Sequence, residues 1–438
     1  MITRTMPHLL NPPEPQGAAG LHALRAMWQR RTILAALEVF HRELGDIFRI
    51  TLPGFKPIML AGPDANRFVL ITSRGDLRWR IEGDPVTSLL RRGVLVTDGE
   101  EHDALRRRLD PSLHRRMMSG YVEAMWRSAD RVAAAWVDDA PRDMLVEMRR
   151  VALLILTETM FGVDFAPDLK ALWPSILKTL AYISPGPWIL WRDLPRPGYG
   201  GALRRVDEYL YRIIAARRAN PGGAGDLLGA LVATGLSDDL VRDQLLTMLI
   251  AGHDTSTALL AWSLYLLGAH PDAMARARAE VDAVLGRQSP SIEHAAQLTY
   301  LDQVIKETLR MYPPIHLGTR TAATDLEFKG YRIPAGTRVL YSIYLTHRDP
   351  RHWPDPARFD PDRFTPERSK VRLPYTYAPF GGGPRICIGF TFAEVEVKIV
   401  LAWLLQQFDL SFTSHAVHTH MGATLEPRPG VRMRARRR

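Results

Sequence analysis

The residues with the greatest chemical potential sit in one short run, Phe380-Gly-Gly-Gly-Pro-Arg-Ile-Cys-Ile-Gly389, which leads into a segment of helical periodicity. Cys387 is the only cysteine of the chain, and a thiolate can ligate a metal or attack as a nucleophile. Glycines 381, 382, 383 and 389 permit positive φ and close backbone approach. Backbone N–H groups can then point at the sulfur and moderate its charge, while the following helix dipole favours the anion. Arg385 can reach a carboxylate, and Phe380 can shield the sulfur from water. Such a loop also suits a bound phosphate, but no Lys-Ser/Thr pair follows as in nucleotide-binding loops. A nucleophilic role would require a nearby base, which spacing alone does not reveal.

A second cluster, Ala251-Gly-His-Asp-Thr-Ser256, interrupts an apolar stretch. A threonine hydroxyl there bonds back to the carbonyl one turn earlier or turns toward a ligand. Glu307 and Arg310 are three apart, and His102 and Arg106 four apart, so each pair shares a helical face.

These residues need rigid elements to hold them. Ser237 to Ala269 predicts one helix of about 50 Å, a length usual for a helix through the centre of a large protein. Its stretch from Leu245 is long enough to cross a bilayer, but the polar run His253 to Thr257 at its middle favours a buried helix. Thr32 to Leu44, residues 100–162, Asp168 to Tyr182, Ala202 to Ala219, Pro271 to Leu285, Tyr300 to Met311 and Phe390 to Phe408 also have helical periodicity. Ile47 to Leu52 and Lys56 to Ala61 predict a β-hairpin around Pro53-Gly54, Arg338 to Leu345 a strand, and the tail through Val431 a β region. A loop rich in proline and tryptophan spans 185–197. The expectation is a mainly α protein with a small β subdomain, preceded by a Pro-rich extension over residues 1–31.

The 438 residues, 46% of them hydrophobic and 24% charged, suffice for a large core. The formal charge of +10 comes mostly from arginine and suits nucleic acid, anionic lipid or an acidic protein partner, with an acidic electron donor ranked first. No nucleic-acid-binding motif accompanies it. One cysteine rules out internal disulfides and multi-cysteine metal sites and fits a reducing, cytoplasmic setting. Pro7, Pro12, Pro13 and Pro15 break up any secretory signal, and no transmembrane anchor is expected.

The cysteine run resembles the haem-binding signature of the cytochrome P450 family, Phe-x-x-Gly-x-Arg-x-Cys-x-Gly, at every fixed position, and the likeness extends from about residue 32 to the C-terminus. The resemblance implies a large helical body with a small β subdomain, haem b (iron protoporphyrin IX) as cofactor and Cys387 as its metal ligand, with Phe380 and Gly389 beside the cofactor. It implies that Ala251 and Gly252 make room for O2 and that Asp254 and Thr255 deliver protons. By the same resemblance His102, Arg106, Arg320 and Arg385 bind the haem propionates, while Glu307, Arg310 and Arg363 form a structural triad. The substrate pocket would include Trp79, Ile250, Ile315, His316, Leu317 and Met421, around a fatty acid, terpenoid or carotenoid. Electrons would come from an acidic ferredoxin or flavodoxin with its reductase, docking near Arg107, Arg108, Arg115 and Arg116. The implied activity is a monooxygenase. A peroxide-driven or rearranging relative is disfavoured by the Asp254-Thr255 pair, and a haem-based gas sensor is the non-enzymatic alternative.

Overall fold

Five helices carry the residues singled out above: α1 (Gly99–Leu113), α2 (Met144–Phe161), α3 (Asp238–Ala269), α4 (Thr299–Met311) and α5 (Phe390–Gln407). They belong to a computed structural model that describes residues 9–186, 194, 196–221, 225–413 and 415–438. The 32-residue α3 is capped by Ser237, whose hydroxyl accepts from the Leu240 N–H, and Asp238 and Asp239 complement the dipole of its first turn. Apolar residues on nearly every side of α3 are buried against α2, α4, α5 and the helix Tyr199–Ala219. Trp262 pins it further, stacking on Tyr312 at 3.8 Å and donating its indole N–H to the Leu425 carbonyl at 2.8 Å. Among the described residues no helix is long and apolar enough to cross a membrane.

The β structure is small and peripheral. One five-stranded sheet runs in the order Ile47–Arg49, Ile58–Ala61, Arg338–Ser342, Leu317–Ala322, Leu77–Arg78. The Ile58–Ala61 and Arg338–Ser342 strands pair in parallel, with Ile58 opposite Val339, and the other neighbours are antiparallel. Pro141–Asp143, Arg432–Arg437 and Phe408–Phe412 form a second sheet, and His418–Met421 with Leu425–Arg428 a hairpin.

The predicted helices and the first hairpin are present, with ends shifted by a few residues, except that Pro141–Asp143 within the 100–162 stretch forms a strand. The strand expected from Arg338 to Leu345 stops at Ser342, whose hydroxyl accepts from the Leu345 N–H and starts a helical turn, Ile343–Arg348. An unbroken apolar run reads alike in either state, and the serine cap decides it. Within the proline-rich opening, Ala18–Arg30 forms a helix that packs on Ile33–Leu44. Pro187, Trp188, Trp191 and Pro195 of the tryptophan loop lie outside the described residues.

Candidate functional site

The cysteine loop is shaped by its backbone. Gly381 and Gly383 have φ of +73° and +63°, and a Cβ at Gly383 would lie 2.7 Å from the Leu70 carbonyl oxygen, so glycine is required there. The Cys387 N–H donates to the Phe380 carbonyl at 2.9 Å, and the Gly389 N–H points at the sulfur. From α1, Arg106 donates to the Ile386 carbonyl at 2.6 Å, which ties that helix to the loop. The sulfur keeps exposed surface although protein crowds around it, as expected of a group lining an internal space. Burial pushes the thiol up, opposed by the Gly389 N–H and then by the Arg106 charge. At Gly389 a Cβ would meet nothing within 4 Å, so the backbone two residues after the sulfur borders open space.

Next to the loop lies a collection of cations, one of them without a carboxylate partner among the described residues. Arg320, only 3% exposed, stacks 3.6 Å from the Trp79 ring centre and donates to the Thr319 carbonyl at 2.7 Å and the Tyr341 hydroxyl at 3.4 Å. Among the described residues no carboxylate forms an ion pair with it, and burial pushes its guanidinium down. Arg385 donates to the Thr97 carbonyl and to Asp98, and is pushed down to about 10 by burial, with Asp98 opposing and Arg320 adding repulsion. His102 is lowered by burial, and Arg385 and Arg106 repel its charged form, while its Nδ1 lies 2.8 Å from Asp103. Trp79 Nε1 is buried without a partner among the described residues. Arg320 without a carboxylate partner and Trp79 Nε1 without an acceptor among the described residues suit an anion with several oxygens, and two carboxylates on a flat macrocycle beside Cys387 would satisfy them. Trp79 thus stands among the cations, a placement that its position in the sequence did not indicate.

On α3 the half-buried positions Ala251, Gly252 and Thr255 interrupt a buried surface and fall on one face. Thr255 donates its hydroxyl to the Ala251 carbonyl at 2.8 Å, and the helix stays α-helical through this turn. Gly252 has a packing reason as well: a Cβ there would come 2.8 Å from Leu156 on α2. Asp254 is not bonded to Thr255. Its carboxylate accepts from Arg149 of α2 at 3.0 Å and from Thr424 at 2.8 Å, and Arg149 also pairs with Glu426 of the hairpin. All four side chains are buried. Nothing in the local motif pointed to Arg149, Thr424 or Glu426, because each comes from a distant segment. On the next position, Ser256 bonds to Glu396 of α5, whose carboxyl burial pushes up to about 8.

The triad is assembled. Glu307 and Arg310 are fully buried and make two side-chain hydrogen bonds at 2.6 and 2.8 Å, with Arg363 3.4 Å from Glu307. The residues expected around the substrate are more scattered. Ile250 is buried in the main core, Ile315 is 43% exposed, and Leu317 and Met421 pack beside Tyr344, Leu345 and Leu425. His316 is buried, bonded to the Pro314 carbonyl at 3.4 Å, and pushed down to about 4 by desolvation.

The sequence profile of the family described as Cytochrome P450 matches residues 12–430. Cyclooctatin synthase of Streptomyces melanosporofaciens is 32% identical over 94% of this chain and 91% of its own length. Pentalenene oxygenase of Streptomyces avermitilis is 30% identical over 83% of this chain and 84% of its own length. A cyanobacterial cytochrome P450 solved with bound retinoic acid superposes with a TM-score of 0.86 at 28% identity, covering 98% of this chain and all of the other (100%). With fold, cysteine loop and kinship in agreement, the chain belongs to the cytochrome P450 family and is a cytochrome P450 monooxygenase.

Proposed function

We propose that this chain hydroxylates a lipophilic molecule of the terpenoid class, with Cys387 as thiolate ligand to the iron of haem b. The observation that carries the reading is the Cys387 sulfur, faced by the Gly389 N–H, with the buried Arg320 nearby that no carboxylate pairs with among the described residues. Among fatty acids, terpenoids and carotenoids, the relatives named for cyclooctatin and pentalenene favour a terpenoid. When bound, haem supplies the reductive activation of O2.

The chain's own residues supply the rest. His102, Arg106, Arg320 and Arg385, joined by Trp79 Nε1, hold the propionates. Phe380 covers the sulfur, and the Ala251–Gly252 surface borders the oxygen side. Thr255, once its hydroxyl leaves the Ala251 carbonyl, orients a proton-carrying water, and Asp254 feeds that proton relay while Arg149 and Thr424 fix its carboxylate. Glu307, Arg310 and Arg363 brace the segment before the cysteine loop. Electrons arrive from an acidic ferredoxin or flavodoxin with its reductase, in the cytoplasm, at a face that includes Arg107, Arg108, Arg115 and Arg116. All four of these arginines are exposed, on or just after the helix that Arg106 ties to the loop.

The test is Cys387→Ala. With no second cysteine in the chain, the variant is expected to lose the red-shifted absorption of the reduced carbon monoxide complex and all O2-dependent product formation. A variant that keeps that absorption overturns the assignment.

A further inference from the structure

The helix Ala18–Arg30 is built inside out. Ala19 and Ala23 are buried, whereas Leu21, Leu24 and Trp28 are 68%, 62% and 85% exposed. At 3.6 residues per turn these three side chains fall within about 60° of one another and roughly 150° from the buried alanines. The face pointing straight away from the protein is therefore apolar, where a surface helix ordinarily carries its charge.

The charge is at the flanks and of one sign. The helix contains no Asp or Glu; it carries His22, Arg25 and Arg30, and Arg31 follows it. His22, Arg25, Arg30 and Arg42 of the neighbouring helix line a cleft of about 190 Å³. Two carboxylates nearby are already engaged, Glu38 by Arg30 and Tyr344, and Glu43 by His22. Arg25 and Arg31 are exposed with no ion pair among the described residues, and Arg42, 3.9 Å from Glu43, is 70% exposed.

We propose that this face seats the protein on an anionic lipid surface. Leu21, Leu24 and Trp28 enter the boundary between headgroups and acyl chains, and Arg25, Arg31 and Arg42 meet the lipid phosphates. Tryptophan favours that boundary, and an exposed apolar stripe with basic flanks is the design of a helix that lies in it. A free phosphate would leave the stripe in water. A second copy of the chain would bring two sets of exposed arginines together, which like-charge repulsion opposes. The inference stands on exposure and charge, independent of the substrate class proposed above.

Flotation of the full-length haem-loaded protein with vesicles tests it, using phosphatidylcholine alone and phosphatidylcholine mixed with phosphatidylglycerol. The parent is expected to float with the mixed vesicles at low salt and less at high salt. Replacing Leu21, Leu24 and Trp28 together by Ser is expected to cut partitioning by roughly tenfold or more. Arg25→Glu with Arg42→Glu is expected to remove the preference for phosphatidylglycerol, each arginine contributing about fivefold. All five positions are exposed, and unchanged haem absorption and circular dichroism will report intact folding. A parent that stays with the soluble fraction overturns the proposal, as does an apolar-face variant that floats equally well. So does a parent dimer, seen by ultracentrifugation, that this variant turns into a monomer, since the face would then belong to a second copy.

Discussion

Both oxygens of Asp254 are engaged, by Arg149 and by Thr424, while Thr255 spends its hydroxyl on the Ala251 carbonyl. The pair that shares a motif therefore does not share a hydrogen bond, and a proton can pass between them only through water. Thr255→Ala is expected to keep the fold and the haem, because the bond lost is a local back-bond of small net worth. Product per electron consumed should fall several-fold and hydrogen peroxide rise; equal coupling in variant and parent would assign water positioning to another group. Glu396 offers a separate test. Its buried carboxyl is pushed up to about 8, so above the ordinary carboxylate range the unfolded chain is ionised while the folded one is not. Stability is then lost as pH rises toward 8. His253 and His316, pushed down to about 3 and about 4 by burial, act oppositely, losing stability as pH falls below about 6.5. His347, also pushed down to about 3 by burial, adds to this histidine effect, which fades above about pH 7; between about pH 7 and 8 the Glu396 slope dominates, at most about 1.4 kcal/mol per pH unit. Glu396→Gln should flatten urea-unfolding stability across that window. At this scale the contiguous Cys387 loop was legible from spacing, whereas Arg149, 105 residues from Asp254, was not. Only the folded chain shows that Trp79 lies against Arg320 and that Gly252 makes room for Leu156.

The helix α4 is held at its end by Arg310, which serves Glu307 and also donates to the carbonyls of His347 and Pro356 at 2.9 Å each. Glu307 in turn accepts from the Asp360 N–H at 3.0 Å. One ion pair thus pins three segments that precede the cysteine loop. Breaking such a pair strands a buried charge, so Glu307→Gln should destabilise the fold by about 3–5 kcal/mol and lower haem retention. Denaturant unfolding and haem content per chain measure it; a loss under about 1 kcal/mol would show that water replaces the carboxylate. Long elements such as α3 were legible because periodicity accumulates over many turns. The helix Ala18–Arg30 was obscured by the prolines before it and by an apolar face that points outward. The end of the Arg338–Ser342 strand rested on one serine cap within an apolar run.

For the whole molecule, the formal charge of +10 is unevenly used. Most interior arginines are neutralised by carboxylates, but Arg107, Arg108, Arg115 and Arg116 are exposed without ion pairs among the described residues. Such a patch raises the association rate of an acidic donor more than its final affinity. Reversing the charge of Arg107 and Arg115 should slow stopped-flow reduction by an acidic ferredoxin and weaken its dependence on salt, as screening acts over about 10 Å at 0.1 M. Dithionite reduction should be unchanged, and equal rates and salt slopes in parent and variant would place donor docking elsewhere. The parallel pairing of Ile58–Ala61 with Arg338–Ser342 bears on something different, the order of events during synthesis. An early strand has its partner edge some 280 residues downstream, and the Arg106 bond beside the sulfur spans a comparable interval. Contacts this distant form late, since the closure entropy of the intervening chain comes before their reward. A chain still on the ribosome can consolidate α1 to α3 while its sheet edge remains open and its sulfur untranslated. Cofactor capture is therefore among the last steps of maturation, and the half-made protein depends on chaperones longest at that open edge.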